Sequence, residues 1–487
     1  MGEFQKSLDL LKRISEFYKS NDELRKAFYF DGYDLWYCVQ MLVFLDIKRF
    51  YGCKNKNRED CYLDAGRRKF PAVLLKDFAV FGFLLALSFA AFLKSLVSKK
   101  DAVVFSVDVR NSKYKSDKRI EYVYDFLNRE NMRFVEVFHT VFGKKPLVNF
   151  LHRKRLAFYL EVFDFLHPLA SVCRKNKFKG DIGFCGAFSD DEVEFVKRLF
   201  AKYADAVGFL KFKMRAFAFL FSLLKVKYIF MIDDTRYYFP IVYAGKKNNI
   251  KTIAFQHGHF TKYHVGWLDY LHGGDALKPD KLFVFSDYWK NELLRLGSYF
   301  ESGDMEVFGY PHYAPTRAKK REGDFIGVLI PYETEAPKKE VLEYVKKIVA
   351  CENVKLFFKL RTDIPKEAQI KEYFLSELRD KIVFVDDIAE CAGKIDIVCG
   401  VYSSFLYDMI AYEKPVLLLK TSMDYGEGMV RNGLAEFLEL SSDMCSVLRA
   451  VSRTDKKQTA RRKNLLYSGG EFDFDALRSK IYNVSFS

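Results

Sequence analysis

Four of the chain's eight histidines fall in one stretch, "KTIAFQHGHFTKYHVGWLDYLHGG" at residues 251–274, which opens on the apolar run Thr252-Ile253-Ala254-Phe255. An imidazole titrates near neutral pH, so it can take a proton from a hydroxyl or, when neutral, ligate a metal. A metal reading joins His257, His259 and His264, but no carboxylate pattern or cysteine nearby completes a recognisable ligand set. The third reading, which also covers His272, is a polar turn with no chemistry. Gly258 would let backbone come close to a ligand. Upstream, "MIDDTRYYFP" ends an apolar run on Asp233-Asp234. Asp234 is a general base on one reading and the N-cap of a helix starting near Thr235-Arg236 on the other.

A second constellation lies in "DIVCGVYSSFLYDMIAYEKPVLLLK", residues 396–420. A buried strand runs into Tyr402-Ser403-Ser404, then a helix, then Lys414-Pro415 before another strand. Two hydroxyls beside the free N–H groups of a helix start make a phosphate seat, or one of them is simply the helix cap. "LFFKLRTD" adds Lys359 and Arg361, cations suited to a diphosphate, the arginine bidentately. "IPYETEAP" puts Glu333 and Glu335 after a strand, where either could meet a ribose or sugar hydroxyl. Asp424 and Glu427 in "TSMDYGEGMV" hold the same position relative to the last strand of that series.

The elements that must position these groups alternate in type. Residues 1–100 read mostly helical. From Asp101 come the strand candidates "DAVVFSVDV", "RFVEVFH", "DIGFCGAF", "KYIFMID", "KTIAFQ" and "KLFVFS", separated by helical patterns that include residues 152–176 and 189–225. A linker with two prolines and a basic cluster follows at 311–323, and "FIGVLIPY", "VKLFFKL", "KIVFVDD", "KIDIVCG" and "KPVLLL" form a second series. Strands alternating with helices predict an α/β fold of two doubly wound parallel sheets. The expected divisions are a helical N-terminal region (1–100), a first Rossmann-like domain (101–310), a second one (324–471) and a terminal helix (472–487). Ligands would sit between the carboxyl ends of the two sheets.

At 487 residues the chain is long enough for two or three domains, and its 49% apolar content supports large cores. A formal charge of +15 favours anionic partners. The nine cysteines are scattered without a CxxC pair, which predicts a reducing cytoplasmic setting. The opening "MGEFQKSLDLLKRISEFYKS" is an amphipathic helix pattern rather than a secretory signal. Phe78–Leu93, "FAVFGFLLALSFAAFL", carries no charge and is flanked by Lys76, Lys94, Lys99 and Lys100. At sixteen residues it is short for a span, which takes about twenty. A helix lying on the inner face of the cytoplasmic membrane, bound to anionic lipid, is expected beside the buried and spanning alternatives.

"VYSSFLYDMIAYEKPVLLL" resembles the Tyr-Ser-Ser turn and Lys-Pro strand of the CDP-glycerol polyol-phosphate transferases of teichoic acid synthesis. It is similar also to the capsule and surface-polysaccharide glycosyltransferases. "IAFQHG", "FSDYWKNELLRLG", "VFGYPHY" and "LFFKLRTD" match further motifs in the same order, over about residues 225–435. The chain departs from the pattern at "KLRTD", where relatives often carry a histidine. The resemblance implies a GT-B fold and transfer of a sugar from a nucleotide-sugar cosubstrate to a surface-glycan or lipid-linked acceptor, without a metal cofactor. It places His257 alone in the cleft, as base or substrate contact; from their positions Asp234 is the rival base, and Gln256, Gly258 and His259 are expected beside it on the acceptor side. Tyr402, Ser403, Ser404, Lys359, Arg361 and Glu333 would hold the nucleotide. Alternatives are polyol-phosphate transfer, a non-hydrolysing sugar-nucleotide epimerase, and a non-catalytic basic protein binding membrane or RNA. No RNA- or DNA-binding signature is present, so nucleic acid is not an expected partner.

Overall fold

The computed structural model describes residues 3–52, 72–107, 117–139, 156–163, 186–233, 238–311, 324–361, 364–388, 391–467 and 472–484. Among these, a short hairpin of β1 (Tyr29–Phe30) and β2 (Tyr33–Asp34) accompanies two large sheets. The first holds β3 (Ala102–Val107), β4 (Phe134–His139), β5 (Ala157–Tyr159), β6 (Tyr228–Ile232), β7 (Lys251–Phe255), β8 (Lys281–Val284) and β9 (Met305–Val307), in the order β5-β4-β3-β6-β7-β8-β9. The second holds β10 (Ile326–Pro331), β11 (Val354–Lys359), β12 (Ile382–Val385), β13 (Ile397–Gly400), β14 (Val416–Leu419) and β15 (Glu436–Leu438), in the order β12-β11-β10-β13-β14-β15.

All neighbouring pairs in both sheets are parallel. Each sheet begins in its middle, grows to one side, and then crosses back to grow on the other. The strand order therefore reverses between β3 and β6 and between β10 and β13, the crevices where open sheets take ligands. β6 and β14 are apolar at every position and buried throughout, as strands covered on both faces must be. The result is the expected pair of Rossmann-like domains across a cleft, preceded by helices: a GT-B architecture.

Local readings fail where elements are short. Residues 157–159 lay inside a helical pattern, yet they extend the first sheet as β5, with Ala157 opposite Glu136. Three residues carry no periodicity, and only pairing along β4 makes them a strand. The strand expected at 181–188 falls mostly outside the described residues, and its end, Gly186 to Phe188, forms a turn. Most of the expected linker, residues 312–323, also lies outside them.

The first helices are packed onto the first sheet's domain. Trp36 stacks on Tyr18 at 4.7 Å, both fully buried. Arg13 pairs with Glu192 at 2.7 Å, at the start of the long helix Asp190–Leu224. Gln40, in helix Trp36–Gly52, donates to the Leu268 carbonyl at 2.9 Å and so braces the histidine stretch. The apolar run belongs to helix Ala72–Val97, whose Leu84 and Leu87 cluster with Phe138, Ala157, Tyr159 and Val162 at the β5 edge. The last helix, Phe474–Tyr482, returns to the first domain, where Tyr482 donates to Glu130 at 2.8 Å and Phe472 meets Tyr122 at 5.6 Å.

Cys351 and Cys445 form a disulfide between partners 94 residues apart, a correction to the reading of the cysteines as scattered thiols. That separation leaves no spacing signal in the sequence. Among the described residues Cys38 and Cys399 are free thiols, and both are buried.

Candidate active site

β6 and β7 run side by side with Ile232 opposite Phe255, so the residues leaving them, Asp233 and Gln256-His257, emerge together at the carboxyl end of the sheet. The His257 backbone N–H donates to Asp233 Oδ1 at 3.1 Å, and its ring Nδ1 bonds the same oxygen. Asp233 is 1% exposed, whereas the His257 side chain keeps 24% of its surface. A buried carboxylate on Nδ1 orients the ring and selects the tautomer in which Nε2 is free to accept a proton. The sequence offers Asp234 as a rival general base or a helix N-cap and gives no sign of a carboxylate paired with His257. Asp234 lies outside the described residues, and Asp233 is the one bonded to the imidazole.

The neighbours of His257 have structural partners. Gln256 is fully buried: its Oε1 accepts the Phe285 N–H at 2.9 Å and its Nε2 donates to the Gly258 carbonyl at 2.7 Å. It therefore ties the loop to the end of β8 and does not face the cleft. A Cβ on Gly258 would meet nothing within 4 Å, so open space adjoins the backbone there. His259 was expected on the acceptor side, but it is 8% exposed and stacks on Tyr407 of the second domain at 4.9 Å. Burial drives its pKa well below the usual imidazole value, so it stays neutral. His264 sits 3.1 Å from the Thr261 hydroxyl and 3.2 Å from that of Tyr425, and His272 occupies an exposed turn with φ of 52°. The histidines thus diverge, and among the described residues no group of three His, Cys, Asp or Glu could hold a metal ion.

Across the cleft, β13 ends at the strand-order reversal and Tyr402-Ser403 lead into helix Ser404–Ala411. The amides there already hold an anion. Glu333, leaving β10, accepts the Val401 N–H at 2.8 Å on one oxygen and those of Tyr402 and Ser403 at 2.7 and 2.5 Å on the other. It is 4% exposed, and burial raises its pKa against the opposing pull of the three amides. Glu333 is thus a buried cap on this loop, a correction to its expected place against a sugar or nucleotide. A Cβ at Gly400 would stand 2.9 Å from a Leu406 methyl and 3.4 Å from Glu333 Oε1, so a larger residue here would push the Leu406 side chain aside.

Ser403 Oγ accepts the Phe405 N–H at 3.2 Å as the helix N-cap, and Ser404 is exposed on the first turn. The two serines are expected to separate on mutation. Ser403→Ala should lower stability by about 1 kcal/mol through the lost cap. Ser404→Ala should leave melting unchanged and weaken nucleotide binding by about 1–3 kcal/mol if its hydroxyl meets phosphate. Titration calorimetry alongside thermal melts checks both, and unaltered nucleotide affinity in Ser404→Ala removes that hydroxyl from the site. The Tyr402 hydroxyl accepts the Glu335 N–H at 3.0 Å. Lys359 lies over the Phe405 ring at 5.4 Å, its pKa lowered by burial, and the exposed Arg361 donates to Thr334 at 3.0 Å. Both cations therefore flank the turn that carries Glu333.

The domains meet through polar pairs. Tyr263 and Lys262 reach Asp424 at 2.5 and 2.9 Å, and Lys48 of the N-terminal helices pairs with Glu335 at 2.7 Å. Glu427 stands 3.7 Å from Lys420 within the second domain. Tyr310 donates to Asp408 at 2.6 Å. Burial raises the Asp408 carboxyl from 3.8 to about 6, despite that hydrogen bond and nearby Lys359. An acid whose folded pKa lies above its unfolded value stabilises the fold when protonated. The contribution is complete below about pH 3.8 and is lost as the pH rises through about 6, a change of at most about 3 kcal/mol. Asp408→Asn keeps an acceptor for Tyr310, so it should raise the melting temperature at neutral pH and flatten its dependence across that window. An identical pH profile in wild type and variant would contradict this.

No protein-family model matches the chain, and no curated protein matches it. Among solved structures, the glycotransferase of kitacinnamycin superposes with a TM-score of 0.49 at 11% identity, covering 80% of this chain and 100% of that one. The calicheamicin glycosyltransferase CalG4 gives 0.48 at 10% identity over 80% and 100%. An S. aureus MnaA–UDP complex gives 0.46 at 12% identity over 78% and 96%. The chain's own strand orders and the meeting of its two sheets' carboxyl-end loops define it as a two-domain protein of GT-B architecture.

Proposed function

We propose that the protein is a metal-independent glycosyltransferase that moves a sugar from a nucleotide donor to a hydroxyl of a surface glycan or lipid-linked acceptor. The observation that carries this reading is the Asp233–His257 pair at the carboxyl end of the first sheet, opposite the helix start flanked by Lys359 and Arg361. In the proposed reaction His257 Nε2 takes the proton of the acceptor hydroxyl as its oxygen attacks the anomeric carbon, and Asp233 steadies the imidazolium that forms. The bond from that carbon to the donor phosphate breaks, and the departing nucleotide's charge is met by Lys359, Arg361 and the first turn of helix Ser404–Ala411. The test is a thermal-shift panel of UDP, GDP, CMP and CDP donors, CDP-glycerol included, followed by transfer assays with any that bind. Stabilisation by CDP-glycerol alone would favour polyol-phosphate transfer, and no stabilisation by any nucleotide would sink the proposal.

The acceptor class agrees with an apolar surface. Val80–Val97 is long and apolar enough to cross a membrane by length and composition. One face packs through Leu84, Leu87 and Ala91, while Leu85, Phe89, Leu93 and Leu96 are 45–59% exposed on the other. Exposed Lys94 and Lys99 adjoin that stripe. A helix with one face committed to protein suits lying in the headgroup layer of an anionic leaflet on the cytoplasmic side. Binding to phosphatidylglycerol vesicles should fall on raising salt and drop at least tenfold in Phe89→Glu/Leu93→Glu, measured by co-sedimentation. Equal pelleting of the variant, or no pelleting of wild type at low salt, would refute it.

A further inference from the structure

A groove of about 710 Å³ lies on the seam between the domains, and neither the His257 loop nor the Glu333 turn lines it. Asp287, Tyr288 and Asn291 line it from helix Asp287–Arg295 of the first domain, and Asn432, Asn464 and Leu465 line it from the second part of the chain. Its volume falls within the range of small-molecule sites, about 300–1,000 Å³.

The lining chemistry selects against anions. Glu292, buried in the floor, meets Arg295 at 2.6 Å and Arg431 at 3.3 Å, and Asp287 also lines the groove, so two carboxylates balance two guanidinium groups and no net charge is left. Asn432 Nδ2 donates to the Tyr288 hydroxyl at 2.8 Å, which leaves the Asn432 carbonyl oxygen and the phenol proton. Asn291 and Asn464 are exposed on the rim and have no hydrogen-bond partner among the described residues. Leu465, 49% exposed, and the Tyr288 ring add apolar surface. Side-chain amides, a phenol and flat apolar patches are what a neutral sugar asks for: paired donors and acceptors for its hydroxyls, and a surface for its C–H face.

The groove is separated from the His257 loop by an aromatic wall. Trp289, next to Tyr288, packs on Tyr407 at 5.0 Å, and Tyr407 stacks on His259 at 4.9 Å. We infer that this seam groove is a second carbohydrate-binding site, which holds a neutral stretch of glycan away from the reacting hydroxyl. The inference rests on the transferase reading for the class of ligand. It adds that an extended acceptor is gripped at two places, so long chains bind more tightly than short ones.

The experiment presents the full chain to a printed array of neutral and acidic bacterial surface oligosaccharides, with nucleotide thermal shifts measured in parallel. Wild type should retain neutral oligosaccharides, and Asn291→Ala/Asn464→Ala should lose at least tenfold of that signal with its nucleotide shift unchanged. Tyr288→Phe, which keeps the ring packing, should lose part of the signal. Retention of no glycan by wild type, retention of acidic glycans only, or equal binding by the double variant would overturn the inference and leave the transferase reading standing. Loss of every nucleotide shift with glycan binding intact would overturn the transferase reading instead.

Discussion

His257→Ala is expected to lower turnover by about 100- to 10,000-fold, the usual effect of removing a general base. Nucleotide affinity should stay as in wild type, because the phosphate-facing groups belong to the other sheet. Asp233→Asn should follow the same direction, since an amide on Nδ1 can stabilise the wrong tautomer and cannot balance an imidazolium. Chelator should leave the rate unchanged. His259→Ala should act differently: it removes a neutral, buried ring from the Tyr407 stack and so lowers melting temperature more than it alters chemistry. Single-turnover rates with calorimetric nucleotide affinities separate these outcomes. Full turnover in folded His257→Ala would move the base to Asp234, and complete loss in chelator would restore a metal site.

Glu333→Ala is expected to empty the seat at the end of β13. Three amides that now share one carboxylate would be left in a buried pocket at a helix start, and at about 1–3 kcal/mol for each buried donor left unmade, partly offset by entering water, the cost is about 3–5 kcal/mol. The melting temperature should fall by roughly 6–20 °C for a domain of this size. The same cradle is shaped for any small anion, so inorganic phosphate or a nucleoside diphosphate should restore much of the loss in the variant and far less in wild type. Thermal melts with and without phosphate decide this. An equal deficit in both conditions would mean that the seat admits only its own carboxylate, and that the donor phosphates depend on Lys359, Arg361 and Ser404 alone.

What was legible in the sequence follows from how local each cause is. β6, β10 and β14 are continuous apolar runs between helices, and β7 becomes one after Lys251-Thr252, so the two doubly wound series could be read directly. β5 and β15, three residues each, have no such signature and exist through pairing with β4 and β14. The His257 loop could be read because a strand end followed by Gln-His-Gly is local too. Its acid could not: Asp233 and Asp234 are adjacent, and only the register of β6 on β7 brings the first of them under the imidazole. Glu333 is the sharper case. Nothing near "IPYETEAP" announces that it will reach 68 to 70 positions ahead to cap three amides. Likewise the burial of His259 depends on Tyr407, which arrives from the other domain.

The return of helix Phe474–Tyr482 to the first domain bears on how the protein is made. Its seat includes Tyr228, Phe126 and Glu130, all synthesised long before it. At about 5–20 residues per second, the first domain waits on the order of ten to thirty seconds, while the second is translated, with that aromatic surface uncovered. The first domain is therefore finished last. A ribosome-held chain halted before residue 472 should be cut by protease near helix Glu121–Arg129, and release of the full chain should close that window.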